Sequence, residues 1–225
     1  MSRVDINVDI AEGFPWDEEL LQLASSANVC CGAHAGSPQL TTATFNRCRE
    51  LGVRIGLHPG YPDRFAMGRD PVMKVDLQGE SLVEVMWRQV ERFVFVASYI
   101  KPHGAFYHES AKLPVVAQAL EAMLDRSRLP LMGLPQGGHA AIAAKVGVPF
   151  IREGFADRRY GKDGFLVSRN EPDAVLTDHA TIAKQSLALS SEVDSICVHG
   201  DNPDALLVAA TVRRALLRAG HEVGW

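Results

Sequence analysis

Four histidines follow short apolar segments of this chain, and imidazole is the side chain best suited to proton transfer near neutral pH. Glycine lies close to each of them, and a stretch with helical spacing comes next. In α/β folds the carboxyl ends of parallel strands, and the loops after them, carry most of the chemistry. We therefore expect these histidines to converge on one face of the fold: His34, His58, His103 and His199.

A strand with two unlike faces precedes the first histidine. Residues 4–10 read VDINVDI, so apolar and polar side chains alternate with the period of a β-strand. We predict that Asn7 and Asp9, with Glu12 just beyond the strand, form the acidic floor of a barrel or cleft. The alternative is an edge strand whose polar face meets solvent.

Two basic residues are candidates for binding anionic groups. Lys101 shares a predicted strand face with His103, and a lysine within an apolar strand requires an anionic partner or a lowered pKa. Arg69 lies with Asp63 in a long connection after residues 54–58, and long loops are often functional. Arg69 could bind an anion, or it could simply pair with a surface carboxylate.

Further polar residues follow the other predicted strands. Tyr107 lies in the turn after His103, while Asp157 and Arg158 come after the strand predicted over 149–155. Asp201 stands two residues beyond His199. Their positions at strand ends make them candidates for substrate binding.

Seven predicted strands, most of them followed by a helix, indicate the fold class. Sequential βα units with right-handed crossovers close into a barrel, so we expect an incomplete or distorted (β/α) barrel formed by one domain, residues 1–225. The strands are predicted over 4–10, 29–31, 54–58, 99–103, 129–134, 149–155 and 195–198. Helices are predicted over 16–24, 38–51, 81–97, 112–127 and 203–220, with one more beginning at Thr181.

The amino-acid composition limits which molecules the protein is expected to bind and where it is expected to be located. Of the 225 residues 47% are hydrophobic and 22% are charged, with a net charge of −4, which is typical of a soluble domain. The acidic balance and the lack of a basic run argue against nucleic acid as a partner. The sequence shows neither a signal-peptide core nor an apolar run long enough to span a membrane, so we expect a cytoplasmic protein.

Six segments, in order, resemble the signatures of the LamB/YcsF family. They are NVDIAEG, ANVCCGAHAGSP, GLHPGYPD with Gly68 and Arg69, KPHGAFY, EGFADRRY with DGFLVSR, and ICVHGDNPDAL. The resemblance extends from Asp5 to Leu206. It implies a distorted seven-stranded (β/α) barrel similar to polysaccharide deacetylases. It also implies a hydrolase that opens the lactam ring of 5-oxoproline to L-glutamate while ATP is consumed, acting as an A subunit together with two further subunits, B and C.

The chain departs from the family signatures at four positions. Ala11 stands where glycine is usual, Gly13 replaces a serine, Asp70 replaces a common second arginine, and His108 replaces an asparagine. None of these changes removes a candidate histidine or the Asp9 and Glu12 carboxylates.

The chemistry of lactam opening gives the candidates roles. ATP, with Mg²⁺ and bound by this chain or by partner subunits, can activate the lactam by phosphorylating its oxygen. The site then needs a base for water, an acid for the leaving nitrogen, and cations for the anionic groups. We expect His34 and His58, with Asp9 or Glu12, to activate water and His103 to donate a proton, while Lys101, Arg69 and Arg158 hold anionic groups. We expect a second set to contact the substrate: Asn7, Asp63, Tyr107, Asp157, His199 and Asp201.

Two alternatives stay open at this point. Asp9, His34 and His58 could bind a divalent metal for deacetylase-like hydrolysis of an amide in a carbohydrate-like substrate. Alternatively, the chain could present 5-oxoproline to its partners without catalysing a step. The density of proton-transfer groups favours catalysis, because a binder of a small lactam needs fewer of them.

Overall fold

All β-strands of the protein join one sheet that closes on itself. A computed structural model describes residues 3–225, so the first two residues of the expected domain lie outside the described residues. The strands are β1 (Arg3–Ile10), β2 (Ser26–Cys30), β3 (Arg54–His58), β4 (Tyr99–Ile100), β5 (Leu131–Gly133), β6 (Phe150–Phe155), β7 (Ser195–Val198) and β8 (Glu222–Val223). Each is parallel to its neighbour, and β1 pairs with both β2 and β7. The strands β1 to β7 thus form the predicted seven-stranded barrel, and β8 extends it beside the start of β1.

Helices alternate with the strands, as the sequence predicts for a (β/α) barrel. They are α1 (Asp17–Leu23), α2 (Pro38–Leu51), α3 (Leu82–Val90), α4 (Gly104–Ser110), α5 (Pro114–Ser127), α6 (Gly138–Val146), α7 (His179–Leu189) and α8 (Ala205–Arg218). The start of α2 shows how local sequence fixes a boundary. Ser37 Oγ accepts from the Leu40 N–H at 3.1 Å, and Pro38 takes a position where no N–H is needed.

Some predicted boundaries are wrong for local reasons. The helix predicted over 81–97 is α3, followed by a 3-10 turn at Glu91–Phe93, because Val90, Val94 and Val96 lower the helix propensity. The strand predicted over 99–103 ends at Ile100, since Pro102 has no N–H for a ladder. The helices α4 and α6 and the strand β8 were not predicted.

The two faces of β1 separate the apolar core from a polar interior. Its apolar residues join the core between sheet and helices, whereas Asp5, Asn7 and Asp9 lie inside the barrel. The inward position predicted for Asn7 and Asp9 is thus confirmed, whereas Glu12 lies above them next to His34 and His103. The edge-strand alternative is wrong because β1 has a partner on each side. Just beyond β1, Ala11 has a φ of 62°, a left-handed conformation that explains why glycine suits this position. Within residues 3–225 no helix is long and apolar enough to cross a membrane.

Candidate active site

The floor of the barrel is a buried polar network built on β1. Asn7 and Asp9 project inward from this strand, and Asn28 on β2 bridges them. Its Nδ2 donates to Asp9 Oδ1 at 2.7 Å and to Asn7 Oδ1 at 2.6 Å. The Tyr99 hydroxyl donates to Asn28 Oδ1 at 2.6 Å. These buried groups therefore have the partners that burial demands, which holds their positions fixed.

Lys101 is the cation of this network. Its ammonium, in a side chain only 2% exposed, lies 2.8 Å from Asp9 Oδ1 and 2.8 Å from Glu153 Oε1. The Tyr107 hydroxyl donates to the other Glu153 oxygen at 2.9 Å. Burial alone would lower the pKa of Lys101, but the carboxylates of Asp9 and Glu153 raise it well above its ordinary value. Burial would raise the pKa of Asp9, yet Lys101 and His58 hold it well below the usual range. The floor thus carries a fixed ion pair.

Three imidazoles meet Glu12 above this floor. Glu12 Oε1 is 3.3 Å from His34 Nε2 and 3.3 Å from His103 Nδ1. The rings of His34 and His103 stack with centroids 3.9 Å apart, and His58 meets His103 edge-on at 4.8 Å. Gly60 permits this packing, because a Cβ there would lie 2.6 Å from His34 Nδ1. The predicted convergence is confirmed for these three histidines.

Backbone carbonyls fix the tautomers of two imidazoles. His58 Nδ1 is 2.8 Å from the Lys101 carbonyl oxygen, and His103 Nε2 is 2.8 Å from the Met67 carbonyl oxygen. A carbonyl only accepts, so both of these nitrogens carry a hydrogen. The remaining nitrogens, His58 Nε2 and His103 Nδ1, therefore present lone pairs to each other in the neutral rings, at a separation of 3.0 Å. Such an arrangement is suited to a cation between the two rings, either a proton or a metal ion.

Burial separates the proton affinities of the three rings. It lowers the pKa of His58 to about 4, with Asp9 opposing the shift, and it also takes the pKa of His103 well below 6.5. For His34, burial opposes protonation, but the contacts with Cys30 and Glu12 outweigh it and raise the pKa to about 9. Near neutral pH the cluster therefore contains two rings that can accept a proton and one that can supply it.

The fourth histidine and a group of arginines lie at the opposite wall. His199 Nδ1 donates to Asp157 Oδ1 at 2.8 Å, which fixes this ring and helps to lower the pKa of Asp157 against the effect of burial. Arg69 and Arg169 both donate to Asp201 Oδ2, at 2.5 Å and 3.0 Å. Of the two roles left open for Arg69, the structure shows pairing with a carboxylate, but this carboxylate, Asp201, belongs to the wall of the site and not to the outer surface.

These groups enclose one cleft at the carboxyl end of the barrel strands. It contains about 470 Å³ of space, including its open mouth. A substrate entering it would meet acidic, basic and imidazole side chains together, which is the environment that general acid–base catalysis requires. Ten predicted site residues line the cleft: Asp9, Glu12, His58, Arg69, Lys101, His103, Tyr107, Arg158, His199 and Asp201.

The possible metal ligands group differently from the sequence expectation. Within residues 3–225, two sets place three ligand atoms within 4.8 Å of one another: Asp9 with Cys197 and His199, and Glu12 with His34 and His103. Asp9, His34 and His58 do not appear as such a set, because Glu12 is the carboxylate next to His34. His58 and His103 fit a metal ion well, since two nitrogen ligands of tetrahedral zinc lie about 3.4 Å apart. Glu12 Oε1 lies 3.3 Å from one of these nitrogens and Asp9 Oδ1 3.6 Å from the other.

Comparison with known proteins adds to this geometry. The family model described as the LamB/YcsF family matches residues 4–224. The chain belongs to the LamB/YcsF family. A relative from Chloroflexus aurantiacus is named as the A subunit of 5-oxoprolinase. It is 37% identical over an alignment of 251 positions, gaps included, which covers 99% of this chain and 98% of the relative. A protein of the same name from Limosilactobacillus fermentum is 36% identical and covers 98% of each chain.

A solved structure has the same fold. It is the lactam utilization protein from Thermus thermophilus, with 29% sequence identity and a TM-score of 0.84 over 100% of this chain and 99% of that one. The family assignment and the barrel predicted from the sequence are therefore both confirmed.

Four predicted site residues of this LamB/YcsF chain do not line the cleft. Asn7, in the floor, and His34, beside Glu12, have no exposed surface, and Asp157 supports His199 as its hydrogen-bond partner. Asp63 lies in the loop, where its side chain accepts from the Ala66 N–H at 3.1 Å and its carbonyl from the Gly68 N–H at 2.7 Å. Its position therefore suggests that it shapes the loop that carries Arg69.

Sequence reasoning missed three residues at the site. Glu153 pairs with Lys101, and it could have been found by the same signal, a charged residue within a predicted apolar strand. Arg169 and His108 line the cleft, and both had a signal in the sequence, since Arg169 ends the DGFLVSR segment and His108 departs from the family signatures, but neither was given a role. Burial, with the charges of Arg158 and Lys112, lowers the pKa of His108 to about 4.

Proposed function

We propose that this chain catalyses hydrolytic opening of 5-oxoproline to L-glutamate, with consumption of ATP, as the A subunit of a 5-oxoprolinase that also needs B and C subunits. The observation that supports this best is the cluster of His58, His103 and Glu12 beside the Asp9–Lys101 ion pair in one cleft. The relatives named as A subunits of 5-oxoprolinase agree with it.

The proposed reaction uses two molecules of water. Phosphoryl transfer from ATP, in the presence of Mg²⁺, places a phosphoryl group on the lactam oxygen and releases ADP. Water adds to the same carbon, and the ring C–N bond breaks as the nitrogen gains a proton. The resulting acyl phosphate reacts with a second water to give the γ-carboxylate of glutamate and inorganic phosphate.

The imidazole cluster supports both proton transfers. His58 is neutral at physiological pH and presents its Nε2 lone pair, so it can take the proton from water. His103 can take a proton from His34 through Glu12, whose Oε1 lies 3.3 Å from a nitrogen of each ring, and pass it on to the leaving nitrogen. Lys101 holds Asp9 in its ionised form at the floor of the cleft, so a carboxylate stays in place beside His58.

Glutamate release tests this function. We would incubate 5-oxoproline, ATP and Mg²⁺ with the chain alone and with candidate B and C subunits, and expect glutamate only from the mixture. His103→Gln should lower turnover by roughly 100-fold or more, which is the range of a lost acid–base group. His179→Gln, at the start of α7, serves as the matched control and should keep full turnover. Full turnover by His103→Gln would instead favour a chain that only presents the substrate to its partners.

We propose metal-dependent amide hydrolysis, on a carbohydrate-like substrate, as the second candidate. The observation that favours it is the pair of lone pairs 3.0 Å apart on His58 and His103. These rings, with Glu12 or Asp9, would hold a divalent ion, which when bound would polarise a carbonyl and lower the pKa of water. Both rings donate their other nitrogen to a backbone carbonyl, as metal-binding histidines usually do.

Metal content distinguishes the candidates. Stoichiometric metal in protein purified without added ions, lost in His58→Gln, together with no glutamate from any mixture, would support the second candidate. A metal-free protein that releases glutamate in the complex would support the first candidate and exclude the second.

A further inference from the structure

A second cavity opens beside the candidate active site. It offers about 1170 Å³ of space open to solvent and shares part of its wall with the first cleft. The shared wall includes Arg69, Arg158 and Arg169, and Lys112 lines the second cavity alone. We call these four side chains the basic rim. A ligand at the rim would thus lie next to the imidazole cluster and would also be reached from outside.

Arg158 is a buried cation of the rim that forms no direct ion pair with any residue of the stretch 3–225. Its residue is 2% exposed, and its guanidinium donates to the carbonyl oxygens of Val167 at 2.6 Å and Ala174 at 3.2 Å. Burial and the charge of Arg169 lower its pKa to about 10, although it stays charged at neutral pH. Burying a charge is unfavourable unless a partner compensates it, so this position favours binding of an anion.

The nearest carboxylates are already engaged. Asp157 pairs with His199 at 2.8 Å. Asp201 pairs through one oxygen with Arg69 and Arg169 together. Neither of them forms an ion pair with Arg158 among the described residues. A carboxylate that two arginines share leaves one of them uncompensated.

The charge balance of the rim is therefore positive. Besides Asp157, which pairs with His199, the four cations face two carboxylates, Asp201 and Glu109, so the cations outnumber the carboxylates beside them. Glu109 Oε2 accepts from the Tyr61 hydroxyl at 2.7 Å and from the Val72 N–H at 3.0 Å, so it is held in the wall of the cavity. A positive excess favours binding of an anion, and the planar guanidinium forks of arginine suit phosphate oxygens.

We propose that the basic rim binds a phosphoryl group, in the form of the activated substrate and then of the phosphate product. This inference rests on the proposed function, in which a phosphoryl group is attached to the lactam oxygen of the reacting carbon. Arg158 and Arg169 line both cavities, so a phosphoryl group held by them borders the cleft that contains His58 and His103. The carboxylate of 5-oxoproline is the competing occupant, and it carries one charge instead of two.

Titration of the full chain with inorganic phosphate tests the rim without ATP, turnover or partner subunits. Isothermal titration calorimetry should detect phosphate binding to the wild-type chain at millimolar concentrations. Arg169→Gln should weaken it roughly tenfold or more, as expected for a lost charged hydrogen bond, and Lys112→Gln should weaken it in the same direction. Arg159→Gln is the matched control, because this exposed arginine donates to the Pro172 carbonyl and lines neither cavity.

Competition separates the two possible anions. 5-Oxoproline and 2-pyrrolidinone, which lacks the carboxylate, should leave the affinity for phosphate within about twofold of its value in buffer alone. Displacement of phosphate by 5-oxoproline but not by 2-pyrrolidinone would assign the rim to the substrate carboxylate and overturn the proposal. Equal affinity of the wild type and Arg169→Gln, or no phosphate binding at all, would also overturn it. If phosphate binds, is weakened by Arg169→Gln and is not displaced by 5-oxoproline, but no mixture yields glutamate, the rim is still a phosphate site and only the proposed function is refuted.

Discussion

Replacement of Lys101 by methionine tests the buried ion network most directly, because it removes the charge and nearly keeps the volume. The ammonium lies 2.8 Å from a carboxylate oxygen on each side, in Asp9 and in Glu153. At an effective dielectric constant of about 20, each contact has a gross Coulomb energy of roughly 6 kcal/mol, much of it offset by desolvation. Removing one partner of a buried pair typically costs about 3–5 kcal/mol. We expect Lys101→Met to lower the free energy of unfolding by this amount near neutral pH.

The loss of stability caused by Lys101→Met should increase as pH rises. Without Lys101, two buried carboxylates face each other, and the pKa of the Asp9–Glu153 pair rises in the folded state. The folded chain then keeps a proton that the unfolded chain releases, so stability is lost as pH rises above the ordinary carboxyl pKa of about 4. The destabilisation should be larger near pH 8 than near pH 5. Removing one of the carboxylates, in Lys101→Met/Glu153→Gln, should restore roughly 1–3 kcal/mol.

Urea denaturation followed by tryptophan fluorescence measures these quantities for the wild type, both single variants and the double variant. Lys145→Met is the control, since Lys145 pairs with Glu121 at 2.7 Å with a side chain 68% exposed, and such pairs contribute about 1 kcal/mol or less. The reasoning would be refuted if the losses of unfolding free energy in Lys101→Met and Glu153→Gln simply added in the double variant. It would also be refuted if Lys101→Met lost the same stability at both pH values.

Two further predictions concern packing and protonation. Gly60→Ala places a Cβ 2.6 Å from His34 Nδ1, so glutamate release by the assembled complex should fall roughly tenfold or more, whereas Gly224→Ala, with no atom nearer than 3.7 Å, should keep it. Equal activity of the two variants would show that the imidazole packing does not matter. Burial lowers the pKa of His139 from 6.5 to about 4, so its contribution to stability is complete above pH 6.5. That contribution, roughly 3 kcal/mol, is lost as pH falls towards about 4. Denaturation across this pH range should show that the free energy of unfolding falls more steeply with falling pH in the wild type than in His139→Gln. Equal pH dependence in both would contradict the lowered pKa of His139.

Much of the fold could be predicted because local periodicity reflects it. The alternation of residues 4–10 predicted an inward polar face, and the repeated strand, turn and helix predicted a barrel. The same repetition placed His34, His58 and His103 at strand ends, so their meeting followed from the topology. Element ends were predicted less well, as the break of α3 at Val90 shows, because they depend on packing as well as on propensity.

The sequence by itself determined which chemical groups reach the carboxyl end of the barrel, since strand period and chain order fix that. Only the tertiary structure decided what each group does there. It paired Lys101 with Glu153, which lies on a different strand, and placed Glu12 between His34 and His103. It also fixed the tautomer of His58 through a carbonyl of another strand. Distances between residues far apart in the chain set hydrogen bonds and pKa values, and periodicity carries no information about those distances.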